Sequence, residues 1–93
     1  MIKPFAQPWL AEFWHNGAHK RVPPELVPRL LRKLDMLHRS RTLQDLQAPP
    51  SNRLHGLHGE RQGQWAISVN GPWRLCFSFE DGDIYDLELV QYH

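Results

Sequence analysis

The sequence predicts an α+β domain in which N-terminal helices pack on one face of a mainly antiparallel β-sheet. Three observations carry that prediction. Leucines recur at a helical period through the first half of the chain. From Arg53 onward the apolar period changes to two, the mark of half-buried strands. The breaks between the alternating segments, Asn70-Gly71-Pro72 and Glu80-Asp81-Gly82, are of hairpin length.

Taken in order, Ile2 to Phe5 reads as a short strand, which Pro4 confines to a sheet edge because it has no N–H to donate. Pro8 opens a short helix on which Trp9, Leu10, Phe13 and Trp14 form an apolar stripe, and Asn16-Gly17 ends it. Leu26, Leu30, Leu34 and Leu37, joined by Val27 and Leu31, define a second helix. Pro23, Pro24 and Pro28 crowd its start, where few backbone donors are needed. Its opposite face carries Arg29, Arg32, Lys33 and Arg39. Thr42 is placed to cap a brief helix, Leu43 to Leu46, and Pro49-Pro50-Ser51-Asn52 reads as a loop.

Three strands follow. Trp65, Ile67 and Val69 alternate with Ala66 and Ser68; Trp73, Leu75, Phe77 and Phe79 alternate with Arg74, Cys76 and Ser78; Tyr85, Leu87 and Leu89 alternate with Asp86 and Glu88. A one-residue slip would expose the aromatic face, so face matching sets the expected register. A three-residue turn at Glu80–Gly82 places Phe77 opposite Tyr85, Leu75 opposite Leu87, and Arg74 across from Glu88. A three-residue turn at Asn70–Pro72 places Ser68 across from Arg74.

The length of 93 residues leaves room for one core, so a single domain over residues 1–93 is expected. The apolar fraction of 41%, with four Trp and four Phe, is that of a globular chain, not a disordered one. Cys76 is the only cysteine, so no internal disulfide can form. No apolar run approaches a membrane span, and Met1–Phe5 lacks the apolar core of a signal peptide. The expectation is a cytoplasmic protein with no membrane contact. Net charge is only +1, but it is unevenly spread. Residues 15–41 hold seven Lys/Arg against Glu25 and Asp35, whereas residues 80–88 hold five acids and no base. That asymmetry suits an anionic partner on one face; a solvated helix face explains the charge equally well.

The chemistry-bearing residues gather in the second half. His55, His58 and Arg61 share the segment 54–61, Arg74 lies on a strand, and Tyr92-His93 closes the chain. No Gly-rich phosphate loop and no acidic pair with general acid/base spacing accompany them. Such a set suits RNA cleavage by the RNA's own 2′-hydroxyl, which needs a base, a proton for the departing oxygen, and cations around the phosphate. Histidine serves the first two and arginine the third, with no metal or cofactor required. Tyr92 would stack an unpaired base. Plainer readings stand beside each of these. His55 and His58 fit a surface loop, or a zinc site with Cys76 or His93. Arg74 fits a simple cross-strand partner of Glu88, and Tyr92-His93 a terminal tail. On chemistry alone the reading ends at an RNA-binding or RNA-cleaving domain.

Across its whole length the chain resembles the HigB branch of the RelE superfamily. The resemblance rests on the opening Met-Ile-Lys-x-Phe, the helical first half, and ordered matches from Arg53 to His93. These are Leu54-His55, Gly59, Arg61, Gly63, Trp65, Val69, Trp73-Arg74, Phe77, Phe79, Gly82-Asp83, Tyr85 and Tyr92-His93. It implies a RelE-like toxin of a toxin–antitoxin pair that enters the ribosomal A site and cuts messenger RNA there. It also implies a HigA-like helix-turn-helix antitoxin as partner, with operator DNA reached only through that antitoxin. His55, Arg74, Tyr92 and His93 would be catalytic: His55 as base or phosphate ligand, Arg74 as transition-state cation, and Tyr92-His93 as a positioning or acid/base pair. His58, Arg61 and Asn70 would bind substrate, and Arg29, Arg32, Lys33 and Arg39 would contact ribosomal RNA.

Three positions depart from the pattern. His58 stands where a lysine is common, Asn70 where an arginine is frequent, and Gln91 where an aspartate usually precedes the final Tyr-His. Two fixed cations and a carboxylate are therefore lost or softened, which implies a weaker or more pH-sensitive cleaver. Two rival functions share the fold: a ParE-like poison of DNA gyrase, and a non-catalytic co-repressor bound to the antitoxin. The polar cluster ending in Tyr92-His93 favours the ribonuclease.

Overall fold

Pro8 starts α1 (Pro8–Asn16) at a position that needs no backbone donor, and Gly17 ends it. Gly17 takes φ +80°, and its N–H donates to Phe13 O at 2.8 Å, a left-handed cap open to glycine at little cost. A 3-10 turn over Pro24–Leu26 leads into α2 (Val27–Arg39), which buries Leu30, Leu34 and Leu37. The Oγ of buried Ser40 closes α2 by donating to Leu37 O at 2.8 Å. Thr42 then caps a 3-10 helix, Leu43–Gln47, through a reciprocal pair: Asp45 N–H donates to Thr42 Oγ1, and Thr42 N–H to Asp45 Oδ2. The computed structural model describes residues 1–92; His93, expected in the active site, lies outside the described residues.

The sheet runs β1 (His55–Gly56), β2 (Trp65–Asn70), β3 (Trp73–Glu80), β4 (Asp83–Gln91), in that order, all neighbours antiparallel. β1 pairs only with Trp65 and Ala66, so His55 sits on a two-residue strand and not in a plain loop. The N-terminal segment lies at the opposite edge, as Pro4 requires. It runs parallel to β4 through Ile2–Ile84 and Phe5–Leu87 bridges.

Two features of the expected register change. Ser68 does face Arg74, but the β2–β3 turn is the two residues Gly71-Pro72, with an irregularity between Ser68 and Asn70. The β3–β4 turn is also two residues, Asp81-Gly82, both at positive φ (+50° and +84°), which matches the right-handed strand twist. Ser78 therefore faces Tyr85, and beyond a bulge at Asp86 (φ +54°) Cys76 faces Glu88, Leu75 faces Leu89 and Arg74 faces Val90. Arg74 is thus not opposite Glu88. The extra residue also reverses the face of what precedes it: Ile84 joins Leu87 and Leu89 in the core, and Tyr85 turns away.

The core lies between the helices and one sheet face, where Leu10, Phe13, Leu30, Leu34, Leu37, Ile67, Leu75, Phe77 and Leu87 are all fully buried. Each such side chain contributes about 1.5–3 kcal/mol by leaving water. On the other face, Ala66 and Cys76 are buried as well. The 3-10 turn Gly59–Arg61 and Tyr92 cover them: Arg61 reaches Glu88 at 3.0 Å, and the Tyr92 hydroxyl lies 3.7 Å from Cys76 Sγ. Among the described residues no helix is long and apolar enough to cross a membrane.

Candidate active site

Strand alternation puts His55, Cys76 and Glu88 in one row of the face turned away from the helices, and Ser68 and Arg74 in the next. Arg74 is the most constrained cation there. Its Nη1 donates to Gly71 O at 2.6 Å and to Trp73 O at 3.0 Å, and its guanidinium carbon lies 5.8 Å from the centre of the Tyr92 ring. That distance is within cation–π range. Tyr92 is anchored in turn by its N–H, which donates to Pro72 O at 2.7 Å. Among the described residues no carboxylate pairs with Arg74; Glu88, its expected partner, is taken by Arg61. Arg74 therefore keeps its charge available for an anion.

Burial, together with the neighbouring Cys76, pushes the Tyr92 phenol above its usual range, so it stays protonated and can donate a hydrogen bond. Burial likewise raises the Cys76 thiol, which argues against a nucleophilic thiolate. His55 is exposed, with Nδ1 2.9 Å from Arg53 O. By strand spacing its Cα lies roughly 12 Å from that of Arg74, two strands across and two residues along. No hydrogen bond joins the two, and that spacing leaves room for a ligand between them. His58 is exposed just before the Gly59–Arg61 turn, and Arg61 is committed to Glu88 and Gln64. Among the described residues no three His, Cys, Asp or Glu side chains converge on a common point.

The larger feature lies beside Arg74. Because β1 covers only Trp65 and Ala66, the outer edge of β2 is open from Ile67 onward, and α2 runs past it. A cleft of about 570 Å³ fills the corner. Its walls carry Arg29, Arg32 and Lys33 from α2, Arg53 from the preceding loop, and Asn70 and Arg74 from the sheet, with no Asp or Glu among the described lining residues. Lys33 Nζ donates to Asn52 Oδ1. Asn52 is itself fully buried, and its amide donates to Leu46 O (3.0 Å) and Ala48 O (3.3 Å). Burial first, and then Arg29 and Arg32, push the Lys33 pKa below its ordinary 10.5. Arg29 Nη1 reaches across to Asn70 Oδ1 at 3.5 Å, so α2 supplies a cation where the sheet has only an amide.

The structure thus joins Arg29, Arg32, Lys33, Asn70 and Arg74, which the sequence placed in three separate groups. Arg39 does not join them; it pairs with Asp35 at 2.8 Å, one turn back along the helix. Arg53 and Asn52 were missed altogether. Arg53 follows a proline-rich loop with no periodic pattern to direct it. Asn52 reads as a turn residue, although a polar residue ending a Pro-Pro-Ser run is the one sign that the loop needs an internal bond.

Fold and site together define a small α+β protein with an anion-binding cleft at the open corner of its sheet. The family described as RelE-like toxin of type II toxin–antitoxin system HigB matches residues 3–93. Endoribonuclease HigB of Proteus vulgaris is 33% identical over 93 residues, covering 100% of both chains. Toxin HigB-1 of Vibrio cholerae serotype O1 is 35% identical over 83 residues, 88% of this chain and 87% of that one. A Haemophilus influenzae protein of undescribed function is 34% identical over 86 residues, 91% of this chain and 85% of its own. The chain belongs to the HigB family of RelE-like toxins, and so to the toxin half of a type II toxin–antitoxin system.

Proposed function

We propose that this toxin, a single domain over residues 1–93, is a ribosome-dependent endoribonuclease that cuts messenger RNA in the A site and so stops translation. The observation that carries the reading is Arg74: a cation held by two backbone carbonyls, unpaired with any described carboxylate, beside both an aromatic ring and a cationic cleft. The name of the Proteus vulgaris relative, an endoribonuclease, supports it.

In the proposed reaction a base removes the proton of a 2′-hydroxyl, and that oxygen attacks the adjacent phosphorus. The bond from phosphorus to the 5′-oxygen breaks, the 5′-oxygen takes a proton, and a 2′,3′-cyclic phosphate remains. Arg74 neutralises the crowded phosphate. His55 acts as base or phosphate ligand from the far side, and Tyr92 positions the nucleotide or, with His93, supplies the proton. The nucleophile comes from the substrate, so no metal or cofactor is needed. The protein works in the cytoplasm, is neutralised by a HigA-like helix-turn-helix antitoxin, and meets operator DNA only through it.

Cleavage of messenger by purified protein, with and without ribosomes and beside a variant lacking His93, tests this. Cleavage that requires ribosomes and is lost with His93 is the expected result. Growth arrest on expression without cleavage would overturn it in favour of a gyrase poison. Neither arrest nor cleavage would leave a co-repressor.

A further inference from the structure

Three of the four cations on the polar side of α2 gather on one recess and do not form a continuous stripe along the helix. Arg29, Arg32 and Lys33 wall the recess that Arg74 closes from the sheet, while Arg39 pairs with Asp35 outside it. Lys33 is half-buried and held by a fully buried asparagine, and Arg29 spans the recess to Asn70. These are the marks of a built site, since solvent-facing lysines rarely spend their hydrogen bonds on buried amides. Five cations with no described carboxylate between them repel one another, and an anion relieves that repulsion.

The shape of the recess selects among anions. At about 570 Å³ it has the dimensions of a small-ligand pocket. A duplex carries its phosphates on a convex rim that such a recess does not admit, whereas a single strand can thread it. Arg29 and Lys33 lie one helical turn apart, ~6 Å along the axis, of the order of one nucleotide step in an extended strand. Arg74 stands at the mouth, shared between this recess and Tyr92.

We propose that the α2 wall of the cleft is a subsite for the phosphates of the single-stranded messenger next to the cut, in place of a contact to ribosomal RNA. The proposal rests on the ribonuclease reading for the identity of the strand. The binding itself is a property of the free protein. Arg29 and Arg32 grip the flanking phosphates, Lys33 sets the depth at which the strand sits, and Arg74 receives the phosphate that reacts.

The test is the affinity of free protein for a short oligoribonucleotide blocked by 2′-O-methyl groups, measured against salt, beside its affinity for vacant ribosomes. Arg29 and Arg32 are exposed, so Arg29→Ala with Arg32→Ala leaves the core intact. Oligomer affinity should fall about 10-fold or more, with the logarithmic salt slope reduced by about 0.7 for each cation removed. Ribosome affinity should stay within about twofold, and Arg39→Ala should change neither. Oligomer affinity and salt slope left unaltered, or ribosome affinity lost while the oligomer still binds, would overturn the subsite. If the parent protein binds the oligomer in the expected pattern but cleaves nothing, the ribonuclease reading fails and the subsite stands. If it cleaves but the double variant binds and cleaves as well as the parent, the subsite alone fails.

Discussion

Replacing Asn52 by Ala should be the most damaging single change outside the apolar core. Asn52 is fully buried in the turn between the Leu43–Gln47 helix and β1, and its amide group serves Leu46 O, Ala48 O and the sulfur of Met36, while its oxygen accepts from Lys33. Alanine removes a donor that two carbonyls rely on and leaves a small void. A buried polar group left unpaired costs about 1–3 kcal/mol, and two partly orphaned carbonyls plus the void should total roughly 2–4 kcal/mol. At about 4–8 °C per kcal/mol for a domain of this size, Tm should drop by roughly 10–25 °C. Urea titration is the assay, with a lower midpoint at unchanged slope as the expected signature. Lys33→Met is the companion variant. It ends the repulsion with Arg29 and Arg32 but leaves the buried Asn52 oxygen without its partner, so it should cost about 1–3 kcal/mol, less than Asn52→Ala because the two carbonyls keep their donor. A loss below about 0.5 kcal/mol for Asn52→Ala would refute the reasoning. It would mean that the Pro49–Asn52 turn is held by its prolines and not by this amide.

Other outcomes can be checked alongside. Arg74→Ala should lower ribosome-dependent cleavage by about 10²–10³ with little change in melting temperature, since the arginine bonds only the carbonyls of Gly71 and Trp73 at the end of the sheet. Asp86→Gly should leave stability the same or raise it by up to about 1 kcal/mol, and Asp86→Val should lower it by about 1–2 kcal/mol, because the bulge holds φ at +54°; thermal melts decide, and equal melts would remove the bulge as a constraint. Lys33 supplies the pH dependence. Its lowered pKa means that the native state binds this proton less tightly than the unfolded chain, so its contribution to stability rises with pH from the native pKa up to the ordinary 10.5. Oligomer binding should weaken over that same window as the charge is lost, and Lys33→Gln should flatten the decline. His58→Lys places a fixed charge just before the Gly59–Arg61 turn and should raise cleavage at pH 8; an unchanged rate would take position 58 out of the substrate's path.

Much of the molecule is legible from local pattern. The helical stripe through Leu26, Leu30, Leu34 and Leu37, the Thr42 cap, the Pro4 edge and the three long strands are all where spacing and capping chemistry place them. The errors lie in turn length and at one bulge. The alternation Tyr85, Leu87, Leu89 looks continuous, and Ile84 and Tyr85 are both apolar, so either phase satisfies a period of two. The two-residue turn at Asp81-Gly82 shifts the register by one, so Tyr85 faces Ser78, and a bulge at Asp86, which leaves no trace in that pattern, shifts it again, so that Arg74 faces Val90 and not Glu88. The site was legible as a list of residues and not as an arrangement. Arg74 and Tyr92 were named for one role and Arg29, Arg32 and Lys33 for another, and nothing in their spacing shows that they share a cleft.

The sequence by itself determined the α+β class, the main helices and the three long strands, the apolar face of most of them, and membership in a toxin family, because those follow from contacts between near neighbours and from residue order. Tertiary structure alone decided that β1 stops after two residues, that α2 passes the edge left open, and that a buried asparagine aims Lys33 at the same recess as Arg74. Those outcomes depend on how far one element reaches over another, a balance of packing and hydrogen bonding summed over the whole molecule, which no short window of sequence contains.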